Sequence, residues 1–191
     1  MTVRPRLLDH PFYTAWTRGE ISQPTLAAYH RAYGEFIRQI PSFWETVVNA
    51  LHPNDPLGAS VIQDETDHIL LWEEWGDTLT PPETVPTLTG LTAELQRMSP
   101  SGLLGALQAF ETQQPEVART KREGLLAHYG FERATLRYFD EHEREEDHIR
   151  YGGRLAAASA DPEEFQNGLH RGAEIFYRSL DVFVDHASST D

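Results

Sequence analysis

The sequence has no cysteine, only one lysine (Lys121), and few basic residues of any kind. The absence of cysteine excludes a disulfide framework, a thiolate zinc site and a thiol nucleophile. With 16 Lys and Arg against 30 Asp and Glu, the formal net charge is −14. A nucleic-acid partner is therefore not expected, because phosphate binding needs a basic surface.

Long apolar runs are also missing from the chain. No run approaches the roughly 18 apolar residues of a membrane span. The first residues lack the apolar segment of a signal peptide. We therefore expect a cytoplasmic protein that has no membrane partner.

The chain is rich in side chains that bind non-heme metals. Nine histidines accompany the 30 carboxylates, and carboxylates with imidazoles but no thiolates form the ligand set of iron or manganese sites. The length of 191 residues suits a single domain, residues 1–191, whose core is large enough to be stable without disulfides.

Apolar residues recur at three- and four-residue steps through most of the chain, which is the period of amphipathic helices. A Thr- and Pro-rich stretch, residues 78–89, predicts an ordered connection. The expected helices span about 11–16, 22–51 with a break before Pro41, 57–75, 88–97, 99–128 with a bend at Pro115, 133–158 and 161–185. With no alternating strand pattern and no internal repeat, the sequence predicts an all-α domain of about seven helices.

Two segments place carboxylates where they can meet a histidine or the core. Asp64 and Glu65 precede His68 by four and three residues, so either can share a helix face with it. Glu111 lies beside an apolar stripe, where a buried carboxylate needs a cation or a proton. Both segments are candidates for a metal site.

A third segment, residues 140–148, holds six carboxylates and two histidines. His142 is four residues before Glu146, and Glu145 is three residues before His148, so each pair can share a helix face. Proteins with a di-iron carboxylate site use Glu from some helices of a bundle and Glu/His pairs from the others.

Each of these features also has a purely structural explanation. A carboxylate-rich helical stretch is usually a solvated face. A histidine beside an apolar run, such as His68, is often a hydrogen-bonded residue at the edge of the core. One salt bridge to an arginine would satisfy Glu111. The residues alone leave the metal site and these alternatives open.

Three stretches of the sequence together resemble the heme-oxygenase-like di-iron oxidases. They are residues 10–16 (His-Pro-Phe-Tyr-Thr-Ala-Trp) with the tyrosines that follow, residues 106–118 around Glu111, and residues 138–142 (Tyr-Phe-x-x-His). This family includes the chlamydial protein that associates with death domains, and it lies near the TenA and PqqC families. The resemblance implies a helical bundle that holds iron through three histidines and three carboxylates and activates O₂.

By position, the resemblance assigns three ligands directly. Glu111 matches the family's mid-chain glutamate, and His142 matches the first histidine of its last motif. His68 matches the histidine of a His-x-x-Leu-Trp pattern. The family's first glutamate lies seven residues before that histidine, where this chain has Val61, so Glu65 or Asp64 must substitute for it.

The last family motif, His-x-x-x-Asp-x-x-His, fits less well. From His142 it would place the second and third ligands at Glu146 and Ile149. His148 comes one residue early, about 100° around an ideal helix, and a local change of helix register would restore it. Alternatively, Glu141 and Glu145 keep the spacing to His148. The candidate ligands are therefore Glu65, His68, Glu111, His142, Glu146 and His148.

The resemblance also implies a reaction, because the branch associated with para-aminobenzoate formation consumes a tyrosine of its own chain. Tyr29 and Tyr33 match its tyrosine-rich second helix and are the candidate catalytic residues, with core packing as the alternative. We expect an iron-dependent oxidase, with one or two Fe ions or Mn, that acts with O₂ on a small organic substrate.

The alternative function is a metal-free small-molecule-binding protein, or a PqqC- or TenA-like protein, that has the same scaffold and a degenerate metal site. A TenA-type thiaminase is disfavoured because its nucleophile is a cysteine. Bundles of this type often pair through a helix face, so a homodimer is among the expected assemblies.

Overall fold

The computed structural model describes residues 3–144 and 146–188, and it confirms the all-α prediction. No strand occurs in these ranges. None of their helices combines the length and the apolar composition that crossing a bilayer requires. The α-helices are α1 (Pro11–Arg18), α2 (Gln23–Ile37), α3 (Ile40–Leu51), α4 (Pro56–Gly76), α5 (Thr89–Gln96), α6 (Pro100–Glu111), α7 (Gln114–His128), α8 (Arg137–Arg144), α9 (Asp147–Ser159), α10 (Pro162–Arg178) and α11 (Asp181–Ser188).

Local sequence signals explain where several helices begin. Asp55, Ser99 and Asp161 each accept a hydrogen bond from a backbone N–H two or three residues ahead, at 3.0, 3.2 and 2.9 Å. Each of them precedes a proline, whose missing N–H and fixed φ suit the first helical position. The expected break before Pro41 is confirmed, because α2 ends at Ile37 and α3 begins at Ile40.

The described residues form eleven α-helices rather than about seven, because four of the expected segments are each divided in two. Two of these divisions lie at the expected break before Pro41 and near the expected bend at Pro115, where α6 ends at Glu111 and α7 begins at Gln114. The other two divide segments that were expected to be continuous. The segment expected over 133–158 consists of a 3-10 turn at Arg133–Thr135 followed by α8 and α9. The segment expected over 161–185 is divided into α10 and α11. At the second division, the N–H of Leu180 bonds to the carbonyl of Tyr177 at 3.2 Å, a tighter turn that ends α10.

Helix α6 lies at the centre of the bundle and is buried on every side from Ser101 to Glu111. It packs against α3, α9 and α10. The contact with α10 is very close, since a methyl group at Gly168 would overlap the carbonyl oxygen of Gly102. This central position explains why the carboxylate of Glu111, at the end of α6, is inside the protein.

Candidate metal centre

Four helices bring five of the expected ligands together in the interior. Glu65 and His68 come from α4, Glu111 from α6, His142 from α8 and His148 from α9. None of the five is more than 8% exposed. These residues are called the carboxylate–imidazole cluster below.

The cluster contains two groups of three residues that share Glu65. One group is Glu65, His68 and His142, and the other is Glu65, Glu111 and His148; within each group the donor atoms lie within 4.8 Å of one another. Oε2 of Glu65 is 3.6 Å from Nδ1 of His68, and Oε1 is 3.1 Å from Nδ1 of His148. Glu65 is thus the one residue that belongs to both groups.

The orientation of His142 is fixed by its own helix. Its Nδ1 lies 2.7 Å from the carbonyl oxygen of Tyr138, which accepts a hydrogen bond from it. A neutral imidazole bonded in this way has its lone pair on Nε2, the atom that a metal would bind. The backbone of α8 thus fixes the orientation of the His142 ring.

The charge of Glu65 depends on the surrounding imidazoles. Burial alone would raise the pKa of its carboxyl group. Hydrogen bonds from His148 and His68, together with the electrostatic influence of His148 and His142, outweigh that effect and hold the pKa of Glu65 well below its usual range. Metal binding requires the ionised carboxylate, and the cluster maintains that form.

Polar contacts position the two helices that carry His142 and His148. On α7, Arg122 forms ion pairs with Asp140, at 2.8 Å, and with Glu143, which holds α8 in place. On α6, Nε2 of Gln108 donates to the carbonyl of Ile149 in α9 at 3.1 Å. Two of the six carboxylates in residues 140–148 therefore anchor α8.

The division between α8 and α9 supplies the change of register that the sequence required. Helix α8 ends at Arg144 and α9 begins at Asp147, so the early position of His148 does not prevent it from reaching Glu65. In the alternative ligand set, Glu141 is exposed, and Glu145 lies outside the described residues.

Glu146 is not brought to the cluster with the other candidate ligands. Its side chain is 72% exposed and forms an ion pair with Arg150 at 3.2 Å. Asp64, the alternative to Glu65, is 49% exposed, and its Oδ2 is 3.8 Å from Nε2 of His148. The described residues therefore bring together two carboxylates and three imidazoles, with Asp64 at the margin.

The two candidate catalytic tyrosines lie in a second buried region. The rings of Tyr29 and Tyr33 are 5.0 Å apart between centroids, and the residues are 0% and 2% exposed. Nζ of Lys121 lies 5.1 and 5.5 Å from the centroids of these rings, 5.7 Å from that of Tyr13 and 5.9 Å from that of Trp72. Lys121 and these four rings are called the aromatic cage below.

The cage changes the protonation of its members. Burial lowers the pKa of Lys121 to about 7 and raises the pKa of Tyr33 to about 12. Sequence reasoning had assigned no role to Lys121. The spacing did contain a signal, because Val117, Lys121 and Leu125 repeat every four residues and all three are buried.

A row of aromatic rings connects the cluster to the cage. Tyr138 stacks on His142 with centroids 4.0 Å apart, and it lies 4.9 Å from Trp72. Trp72 in turn lies 6.1 Å from Tyr29 and 6.4 Å from Tyr33. Sequence reasoning missed Tyr138 and Trp72 as parts of the site.

Comparisons with known proteins give the same superfamily as the sequence. The chain is 27% identical to a 4-aminobenzoate synthase of Chlamydia muridarum over 95% of its own length and 86% of the relative's. It is 26% identical to the 4-aminobenzoate synthase of Chlamydia trachomatis serovar D, over 94% and 87% of the two chains. The 4-aminobenzoate synthase of Nitrosomonas europaea is 27% identical, over 65% and 61%. No family model matches the sequence.

A solved structure has the same fold. The crystal structure of a TenA homolog from Pseudomonas syringae pv. tomato superposes with a TM-score of 0.77, over 94% of this chain and 87% of that one, at 12% identity. This result confirms the helical bundle that the resemblance predicted. The chain thus has the fold of the TenA/heme-oxygenase-like superfamily.

Proposed function

We propose that the chain is an iron-dependent oxidase that uses O₂ to form 4-aminobenzoate from side chains of its own. The observation that carries this proposal is the pair of donor groups that share Glu65. Buried carboxylates and imidazoles without a thiolate fit iron or manganese, and Glu65, His68, Glu111, His142 and His148 would hold one or two ions. The bound metal would supply the activation of O₂.

The burial of the tyrosines supports an internal substrate. Tyr29 and Tyr33 pack among Phe12, Trp72 and Phe183, and neither is more than 2% exposed. A diffusible substrate would have to displace this close-packed set of rings, which is costly. A phenol already in place requires no entry path.

Lys121 is the amine that the cage places beside these phenols. At a pKa of about 7, a large fraction of its side chain is uncharged near neutral pH, and an uncharged amine is a nucleophile. A tyrosine side chain would supply the ring and, from Cβ once its bond to Cα breaks, the carboxylate carbon of 4-aminobenzoate. The amine would supply the nitrogen that replaces the phenol oxygen, which leaves as water, and O₂ would accept the electrons lost on oxidation of Cβ. The connecting rings of Tyr138 and Trp72 give the cluster a through-protein contact with the phenols.

The first experiment identifies the origin of the product ring. Protein made with ring-labelled tyrosine is treated with Fe²⁺, a reductant and O₂, and 4-aminobenzoate is measured by mass spectrometry. We expect labelled product, no more than one molecule per chain, and loss of product in Tyr29→Phe or Tyr33→Phe. Tyr177→Phe is the matched control and should leave the yield unchanged. Unlabelled product, or many turnovers per chain, would contradict an internal substrate.

The second experiment identifies the origin of the amino group. Because Lys121 is the only lysine of the chain, protein made with ¹⁵N-lysine carries the side-chain label at one position. We expect ¹⁵N in the product and no product from Lys121→Met. Product without ¹⁵N would show that the nitrogen comes from another source.

The rival function is metal-free binding of a small molecule on the same scaffold. It is favoured by the position of Glu146, which leaves the cluster with five inward donors rather than six. The two functions differ in their response to metal, since only a ligand that prefers the folded state raises the melting temperature. Added Fe²⁺ should raise the Tm of the chelator-treated protein and of Glu146→Gln alike, whereas an unchanged Tm in both would favour the rival.

A further inference from the structure

A second row of aromatic rings begins at His148. The ring of Trp44, on α3, lies 6.4 Å from that of His148, and the ring of Tyr151, on α9, lies 5.9 Å from Trp44. These contacts resemble in length those that join the cluster to Tyr29 and Tyr33. His148, Trp44 and Tyr151 are called the outward chain below.

Trp44 is a fully buried indole that differs from the equally buried Trp75 in its ring contact with His148, whereas both indoles leave Nε1–H without a partner among the described residues. A buried indole usually bonds this group. A phenylalanine or leucine would fill an apolar core position without leaving a buried N–H unpaired, whereas an indole adds an easily oxidised ring.

Tyr151 lies where a proton can leave for solvent. Its hydroxyl faces the first turn of α4, since a methyl group at Gly58 would come within 2.5 Å of it. The nearby charge of Asp55 acts on this hydroxyl. Oδ2 of Asp55 is 3.5 Å from Nδ1 of His52, a residue whose side chain is 57% exposed. Carboxylate and imidazole thus form a short path from the phenol to water.

The phenol also keeps its proton until it is oxidised. Burial, and then the Asp55 carboxylate, raise the pKa of Tyr151 to about 12. Loss of an electron makes a phenol strongly acidic, so an acceptor such as Asp55 is needed at that moment. The exposed Arg154 covers the ring, with its guanidinium carbon 5.5 Å from the centroid, and so the ring lies just below the surface.

We propose that Trp44 and Tyr151 carry electrons from reductants in solution to the carboxylate–imidazole cluster. This inference rests on the proposed function, because the electron acceptor is the O₂-treated, iron-loaded cluster. The electron donor is a small thiol in solution. The outward chain would serve turnovers in which Tyr29 and Tyr33 supply no electrons, and it would protect the ligands from oxidation.

The electrons and protons balance for one such turnover. O₂ accepts four electrons and four protons and becomes two waters. Two bound Fe²⁺ ions would supply two of these electrons, and the outward chain would deliver the other two, one at a time. In each delivery Trp44 loses an electron, Tyr151 restores it and releases a proton towards Asp55, and a thiol returns a hydrogen atom to Tyr151. Two thiols end as one disulfide, and the remaining two protons come from water.

The test measures oxidation of Trp44 and Tyr151 as well as formation of 4-aminobenzoate. Chelator-treated protein receives Fe²⁺ and O₂ without thiol, is frozen for electron paramagnetic resonance, and is then digested for peptide mass spectrometry. We expect a tyrosyl or tryptophanyl radical and oxidised peptides at Trp44 and Tyr151. Added thiol should suppress both signals and be consumed together with O₂.

Variants distinguish electron transfer through Trp44 and Tyr151 from nonspecific oxidation of the protein. Trp44→Phe should lower oxidation at Tyr151 several-fold, raise oxidation of the cluster histidines, and leave the labelled 4-aminobenzoate yield per chain unchanged or higher. Tyr151→Phe should leave Trp44 as the oxidised end. Trp75→Phe, which also replaces a fully buried tryptophan, and Tyr177→Phe should change none of these readouts.

The outcomes distinguish this inference from the proposed function. If Fe²⁺ neither binds nor consumes O₂, the proposed function fails and the outward chain fails with it. A second outcome is that iron binds and O₂ is consumed, but Trp44 and Tyr151 stay unmodified and Trp44→Phe consumes thiol at the same rate. In that case the proposed electron transfer through Trp44 and Tyr151 is wrong, and the proposed function is unaffected. If Trp44→Phe changes oxidation at Tyr151 only by unfolding, Tyr151→Phe must still reduce thiol consumption, and an unchanged rate there also overturns the proposal.

Discussion

The carboxylate–imidazole cluster and the aromatic cage are both buried, yet the cluster stabilises the charged form of its carboxylate and the cage destabilises the charged form of its amine. In the cluster, Glu65 stays ionised because imidazoles surround it. In the cage, Nζ of Lys121 lies over four aromatic rings, and burial lowers the pKa of this amine to about 7. A buried group keeps its charge where partners of opposite sign surround it and loses its charge where only apolar surface does. One region is therefore prepared to bind cations, and the other to present a neutral amine.

The largest effect expected is on the cluster, from Glu65→Gln. Because Glu65 belongs to both donor groups, losing its charge should weaken iron binding by more than about 100-fold, beyond the range seen when supporting residues are changed. Metal analysis and Fe²⁺ titration measure this loss. Glu146→Gln removes one carboxylate from an exposed position and is the matched control. Iron retained in Glu65→Gln would mean that the two groups do not share a ligand.

The next effect concerns the cage, through Lys121→Met. The folded pKa of Lys121 is about 7, below the ordinary value of 10.5. The unfolded chain therefore binds more protons between these values, and the stability of the wild type rises with pH across that window. Replacing the lysine should raise the free energy of unfolding near neutral pH by on the order of 3–5 kcal/mol.

Urea unfolding of both proteins from pH 6 to pH 9.5 checks this prediction. The advantage of Lys121→Met should shrink steadily as the pH rises above 7. Burial raises the pKa values of Tyr13 and Tyr29, so these tyrosines change the pH dependence of stability only near pH 10. They do so in both proteins, and their effect cancels in the comparison. A difference that stays constant over this range would mean that Lys121 is already paired or already neutral in both states.

The smallest effect concerns the support of the cluster, where a buried and an exposed arginine can be compared. Arg122 and Arg150 each pair with two carboxylates, but their side chains are 11% and 66% exposed. Arg122→Met should cost about 1–3 kcal/mol, because it leaves the partly buried Glu143 without its cation and leaves Asp140 with only the exposed Arg133. Arg150→Met should cause no measurable change, since exposed ion pairs contribute little.

Urea unfolding of the metal-free variants measures this difference. Iron affinity should fall only in Arg122→Met, because α8 carries His142. Equal costs for the two arginines would show that the ion pairs of Arg122 do not position α8.

Sequence patterns predicted the parts of the fold and site that depend on short-range geometry. The starts of α6 and α10 follow from a capping residue and a proline. The pairing of Glu65 with His68 follows from a three-residue step on one helix. The inward position of Glu111 follows from its apolar neighbours, because a helix face is set by spacing.

The remaining features depend on contacts between distant segments. The division between α8 and α9 is accompanied by the ion pairs of Arg122 and the hydrogen bond of Gln108, and neither partner is near in sequence. The outward position of Glu146 follows from that division. The environment of Lys121 is built by rings from α1, α2 and α4, so its own helix reveals only that it is buried.

The interruption between α8 and α9 also bears on how insertions and deletions are tolerated. His142 and His148 are six positions apart, and on an unbroken helix they would point roughly 120° apart. Because two separate helices carry these histidines, the number of residues between them does not fix the angle between their side chains. A deletion between the helices therefore need not destroy the site. A search motif with a fixed ligand spacing would discard this chain, whereas a comparison of where the side chains meet retains it.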